Sequence, residues 1–172
     1  MYSRLTKAFY FLSIFFFLIA FMFIYSSSPE FVTYELSDRG LPLKQFSKEF
    51  FFYLFLGVFV VSNVLLIVPA KLIELQYNLT LKRLFPKGGR FRERMLVWIY
   101  SFAGMVNFST IILVFYLHRI TYIEEFQHSS FNFFFYLVPV LFVGWVLGLF
   151  YILVQKMKEV KEGQTPSAYM DH

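Results

Sequence analysis

Two histidines and two carboxylates lie within one short stretch, His118-Arg119-Ile120-Thr121-Tyr122-Ile123-Glu124-Glu125-Phe126-Gln127-His128. Imidazole nitrogens and carboxylate oxygens bind zinc, so His118, Glu124, Glu125 and His128 are the candidate metal ligands. Their spacing fits no established zinc pattern, and the stretch reads more simply as a solvated loop. Other reactive chemistry is sparse. The chain has no cysteine, which removes disulfides, thiolate metal sites and cysteine nucleophiles. It has no Gly-rich phosphate loop, no Ser/His/Asp set confined to one side and no facing pair of catalytic carboxylates. No catalytic residue and no cofactor are expected.

The other polar groups that stand out lie inside long apolar runs: Ser13, Ser62, Asn63, Ser101, Asn107, Ser109 and Thr110. Hydroxyls and amides in such runs need protein partners, because lipid offers none. At helical spacing Tyr100, Ala103, Gly104, Asn107, Thr110, Ile111 and Val114 share a face, and small and polar residues on one stripe form a helix–helix seam. Leu56, Val60, Asn63, Ile67 and Ala70 share another face. Counted along the helix axis, Ser13, Asn63 and Ser101 fall about 8–11 Å from one membrane surface, where they are expected to form one hydrogen-bonded layer. Gly144 and Gly148 give the last run a GxxxG spacing that admits a second helix, from this chain or another.

Four uncharged apolar stretches, roughly residues 8–25, 50–70, 95–117 and 131–154, carry these groups. A hydrocarbon core takes about 20 apolar residues per helix. Composition agrees: 58% of the chain is hydrophobic and 16% charged, against about 25% charged in soluble domains. The 26 Phe and 12 Tyr suit lipid and headgroup positions. The predicted fold is an all-α membrane protein, a four-helix transmembrane bundle forming a single domain over residues 1–161, with a flexible cytoplasmic tail over 162–172. The first stretch follows Arg4 and Lys7, as a signal peptide would, yet it ends in Tyr25-Ser26-Ser27-Ser28-Pro29 without a small-x-small site and is expected to be retained. No Asp, Glu, Lys, Arg or His lies inside the stretches, which argues against a pump, an ion-coupled transporter or a haem held by span histidines.

Basic residues partition between the connections. Arg4 and Lys7, then Lys71, Lys82, Arg83, Lys87, Arg90, Arg92 and Arg94, then Lys156, Lys158 and Lys161 fall on one side, leaving only Arg39, Lys44, Lys48 and Arg119 on the other. Basic short loops stay cytoplasmic, so both termini and the middle connection are expected inside. The cations Lys82, Arg83, Lys87, Arg90, Arg92 and Arg94 mix with Leu and Phe and are candidate lipid-headgroup contacts. A connection tethered to a bilayer is a poor nucleic-acid site, and none is expected.

In the first outer connection, Phe31–Leu36 alternates as a strand and Asp38-Arg39-Gly40-Leu41-Pro42 reads as a turn. Arg119–Glu124 in the second also alternates, so the two segments could pair as a small extracytoplasmic cap, bringing Tyr34 near Tyr122. Phe50-Phe51-Phe52-Tyr53-Leu54 and Phe133-Phe134-Phe135-Tyr136-Leu137 recur in the two halves, as two parallel helical hairpins would require. Residues 71–84 are expected to prolong the second helix up to the stop at Pro86-Lys87-Gly88-Gly89. Pro139 is expected to kink the last helix.

The segment Tyr34-Glu35-Leu36-Ser37-Asp38-Arg39-Gly40-Leu41-Pro42, with the following Phe46-Ser47-Lys48-Glu49, resembles a loop of small uncharacterised bacterial four-span integral membrane proteins. The resemblance implies a bacterial inner-membrane location and no activity. The function expected is that of a non-enzymatic accessory or scaffold subunit in a larger inner-membrane complex, its partners being the bilayer and other subunits or itself. A small membrane sensor or regulator, or a carrier for a neutral or lipidic solute, is the alternative.

Overall fold

The computed structural model describes residues 2–37, 41–122 and 132–163, with the side chains of 132–135 and 161–163 excepted. In chain order the elements are α1 (Tyr2–Ser27), β1 (Phe31–Leu36), β2 (Pro42–Ser47), α2 (Lys48–Leu75), α3 (Leu79–Leu84), α4 (Arg90–Tyr122) and α5 (Asn132–Gly163). Among the described residues, α1, α2, α4 and α5 are long and apolar enough to cross a membrane. Helices α1, α2 and α4 contain the first three expected stretches and run past them at both polar flanks, and α5 covers the fourth from residue 132 and runs past its C-terminal end. Helix α4 is the central element, packing against α1, α2, α5 and β1.

Local chemistry sets the helix ends. Ser27 and Ser28 hydroxyls fold back onto the Phe23 and Ile24 carbonyls at 3.1 and 2.7 Å, closing α1. Ser47 caps α2 by accepting from the Phe50 N–H at 3.2 Å, the usual role of a serine hydroxyl there. Helix α2 stops at Gln76, whose backbone is left-handed (φ 50°) and whose N–H donates to the Leu72 carbonyl at 3.0 Å. The expected continuous helix through residue 84 is therefore interrupted. A left-handed cap ends α2, and the chain restarts as the short α3 after Asn78. Residues 87–89 then turn, with Gly88 at φ +80° and the Gly89 N–H on the Pro86 carbonyl at 3.0 Å. Pro139 lies within α5, which remains helical around it.

Strand β1 matches the expected alternation, but its partner differs. It pairs antiparallel with β2, Val32 opposite Phe46 and Thr33 opposite Gln45. A Lys44–Glu35 ion pair at 2.6 Å closes one face, and the Glu35 hydrogen bond raises the Lys44 pKa above its usual value. Residues 119–122 are the last turn of α4, not a strand; Ile123 and Glu124 lie outside the described residues. Six alternating residues suit one turn of a half-buried helix as well as a strand. Thr121 keeps its helical bond to the Leu117 carbonyl at 2.7 Å and also accepts the Thr33 N–H at 3.1 Å, so a helix end holds the hairpin. Tyr34 stacks on Phe46, and the Tyr122 hydroxyl donates to the Ser27 carbonyl. Of the expected turn, residues 38–40 lie outside the described region; Ser37 and Leu41 close it by two hydrogen bonds of 2.8 and 3.1 Å.

Two apolar clusters form the core. Near the hairpin, Phe17 and Phe21 of α1 pack with Phe51, Phe55 and Phe59 of α2 and with Ile111, Val114 and Leu117 of α4. Phe17 and Phe59 stack at 4.0 Å. At the opposite, basic end, Tyr10, Ala70, Ile73, Leu96, Ile99, Tyr100 and Ala103 form the second cluster. Of the expected α2 face, Ala70 is buried, Leu56 and Ile67 pack against the core and Asn63 meets α4, whereas Val60 is exposed; Phe51, Phe55 and Phe59 extend the buried face instead, because the bulkier rings bury more apolar area. Helix α1 meets α4 over Gly104, where an added Cβ would run into the Phe9 ring.

Gly104→Ala should therefore lower stability by about 1–3 kcal/mol, the usual cost of overpacking. Gly57→Ala, with nothing within 4 Å, should leave stability unchanged or raise it. Thermal unfolding of the two purified variants in one detergent separates these outcomes.

Candidate functional site

A polar layer lies between the two clusters, one turn from Tyr10 and Phe17 on α1, from Phe59 on α2 and from Ala103 and Ile111 on α4. Asn107 donates to the Ser13 hydroxyl at 2.9 Å and to Asn63 Oδ1 at 3.3 Å. Asn63 donates to Asn107 Oδ1 and to the Phe59 carbonyl, both at 2.8 Å. The Ser13 hydroxyl donates in turn to the Tyr10 carbonyl at 2.7 Å. Every N–H of both amides thus has an acceptor. The network is closed, and it leaves no side-chain donor to bind a solute.

Of the expected layer, Ser13 and Asn63 are joined and Ser101 is not. Ser101 lies six residues from Asn107, about 120° around the helix, and faces α5 instead. It donates to the Trp98 carbonyl at 3.0 Å and accepts from Trp145 Nε1 at 3.2 Å. Trp98 Nε1 in turn donates to the Trp145 carbonyl at 2.7 Å, and Phe102 meets Phe142 edge-on at 5.6 Å. Arg94 bonds Gln155. Thr110 bonds within its own helix, to the Val106 carbonyl at 2.9 Å. Trp98 also lies 3.8 Å from where a Cβ on Gly148 would be, whereas Gly144 faces open space.

A second polar junction closes the basic end. Glu74, with its side chain 15% exposed, pairs with Lys7 of α1 and, at 3.0 Å, with Lys71 of its own helix. It also accepts the Tyr100 hydroxyl of α4 at 3.0 Å. Arg92 donates to the Ile73 and Glu74 carbonyls at 3.4 and 3.3 Å, where a cation complements the negative end of α2. Buried Gln76 reaches the Phe85 carbonyl and folds the connection back. The sequence carries one signal for this junction, which the expectations above do not include. Glu74 is the only acid between Glu49 and Glu93 and follows Lys71 by three residues, the spacing of an ion pair on a helix.

Of the candidate metal ligands, Glu124, Glu125 and His128 lie outside the described residues. His118 packs its ring on Tyr122 at 4.8 Å, and no group of three possible ligands occurs among the described residues. Of the candidate headgroup residues, Arg92 and Arg94 serve the protein itself as above. Lys82, Arg83, Lys87 and Arg90 are exposed. No protein-family model matches the chain, and no similar curated protein or solved structure was found.

Asn107→Leu should cost about 1–3 kcal/mol by stranding Asn63 and Ser13, and more than Asn63→Leu, since Asn107 is the more deeply buried. The double variant should cost less than the sum of the two, because the paired amides leave together. A double-mutant cycle by denaturant unfolding in mixed micelles reads these differences.

Glu74→Gln should destabilise by about 1–3 kcal/mol, less than for a fully buried pair. Adding Lys7→Gln should recover part of that loss in the same assay.

Proposed function

We propose that this protein is a non-enzymatic accessory or scaffold subunit of a larger membrane complex. Its basic flanks accord with both termini and the α2–α4 connection being cytoplasmic, and the loop resemblance implies a bacterial inner membrane. The observation that carries this reading is the state of α5. None of its residues between Tyr136 and Val160 is buried, and among the described residues its main packing is on α4. Beside it runs an open groove of about 510 Å³ lined by Trp98, Val140, Leu141, Gly144, Trp145 and Gly148. An apolar groove with an uncovered glycine suits close approach of another subunit's helix. The closed amide layer weighs against a carrier, because a neutral polar solute would find no free donor there. Neither catalytic residues nor a cofactor enter this reading, and its partners are the bilayer and other subunits.

A small sensor or regulator is the second reading, and one feature favours it. The 33-residue α4 bonds the hairpin through Thr121 at one end and Glu74 through Tyr100 at the other, so one rigid rod links the two ends.

The absence of native cysteine makes a direct test practical. Val143→Cys, exposed on α5, should give a cross-linked adduct with a different membrane protein in native membranes. Gly144→Leu in that background should abolish the adduct while leaving the melting temperature unchanged. An adduct of twice the chain mass would assign the groove to self-association. A lone monomer in mild detergent with no adduct would overturn the scaffold reading.

A further inference from the structure

We infer that the connection between α2 and α4 is a lipid-surface foot that binds anionic phospholipid headgroups. The inference rests on reading the four long helices as membrane spans and is independent of the scaffold role. Three observations converge on it. First, there is no acid from Gln76 to Arg92, and Lys82, Arg83, Lys87 and Arg90 make no ion pair among the described residues. Second, large apolar side chains are exposed beside these cations: Leu75, Tyr77, Leu79 and Leu84, with Tyr77 at 85% and Leu79 at 72%. Third, the segment is held in place. The Gln76–Phe85 bond, the Arg92 bonds to the end of α2 and the Phe85–Phe91 stack at 5.2 Å pin it to the ends of α2 and α4. Those ends are where a bilayer surface would lie.

The short α3 places the two chemistries together. Leu79, Lys82 and Arg83 are spaced i, i+3 and i+4 and are exposed, so they share one face. Leucine inserts among the upper acyl carbons while the longer cations extend to the phosphates. Tyr77 suits the same depth, as interfacial tyrosines do. Charge complementarity commits the occupant to an anionic lipid. A zwitterionic surface offers no net charge to four uncompensated cations. A soluble anion would leave the apolar side chains in water.

The test uses the full chain reconstituted in bilayers of phosphatidylcholine, with and without phosphatidylglycerol. A nitroxide placed on Leu79→Cys, the chain's sole cysteine, reports depth by its relative accessibility to oxygen and to a water-soluble nickel chelate. Spin-labelled lipids report headgroup preference. The label should sit below the phosphates in phosphatidylglycerol bilayers. The preference for phosphatidylglycerol should fall by roughly fivefold for each cation removed, and should weaken as salt rises from low to high concentration. The quadruple variant Lys82→Gln, Arg83→Gln, Lys87→Gln, Arg90→Gln should lose most of the preference at an unchanged melting temperature, since these residues are exposed. A label in water, or a preference unchanged in the quadruple variant, would overturn the inference. Competition by millimolar inorganic phosphate would also overturn it, by pointing to a site for a free anion.

Discussion

Asn107 is almost wholly buried, in a helix long and apolar enough to cross a membrane. Its amide has no water to turn to, so each of its polar atoms must be met by protein. The partners come from two other helices, Ser13 of α1 and Asn63 of α2. Apolar packing above and below the layer is non-directional, and rings such as Phe17 and Phe59 could interdigitate in neighbouring registers. The amides cannot. Sliding α2 by one turn, about 5.4 Å, would part the two asparagines, and sliding α1 would take Ser13 away from Asn107. The register and rotation of the three-helix core thus depend on this one layer, even though each of its bonds is worth only about 0.6 kcal/mol.

The ends of the same three helices are tied by different chemistry. At one end Glu74 gathers Lys7, Lys71 and Tyr100, contributed by α1, α2 and α4. At the other, Thr121 of α4 holds the hairpin that joins α1 to α2. Ionic bonds there serve a region where water and headgroups lower the cost of charge, and neutral amides serve the apolar middle. That division follows from desolvation: an ion pair placed at the depth of Asn107 would lose more hydration than its attraction returns.

Much of this was legible beforehand, and the failures have physical causes. The spans could be read because charge is excluded from lipid. Strand β1 could be read because its alternation is bounded by Pro29 and the following turn. Ser13 and Asn63 were placed in the layer by counting rise along each helix. The same count chose Ser101 over Asn107, because depth alone ignores rotation about the axis. Helical spacing separately puts Ala103, Gly104 and Asn107 on one face, and combining face with depth selects Asn107. Burial of Phe51, Phe55 and Phe59 was hidden because Phe suits lipid and protein interior equally. The junction at Glu74 was hidden because flanking charges were read for topology and not for pairing. The break at Gln76 carried no glycine or proline to announce it.

Helix α5 stands apart from that frame. Among the described residues no asparagine and no ion pair joins it to α1 or α2, and its ties run to α4, through Trp98, Ser101, Phe102, Arg94 and a Lys156 ammonium 5.7 Å from the Phe91 ring. Two indole hydrogen bonds fix its orientation but bury little area, and Gly144 remains uncovered beside them. For a helix surrounded by lipid such exposure costs nothing, since lipid is as apolar as the side chains. What lipid does not match is a rigid concave surface, where acyl chains must order themselves to fill the groove. A complementary helix fills it with less loss of chain entropy, and dispersion contacts then favour the protein partner. The frame of α1, α2 and α4 supplies the rigidity that this selectivity requires, and α5 supplies the surface.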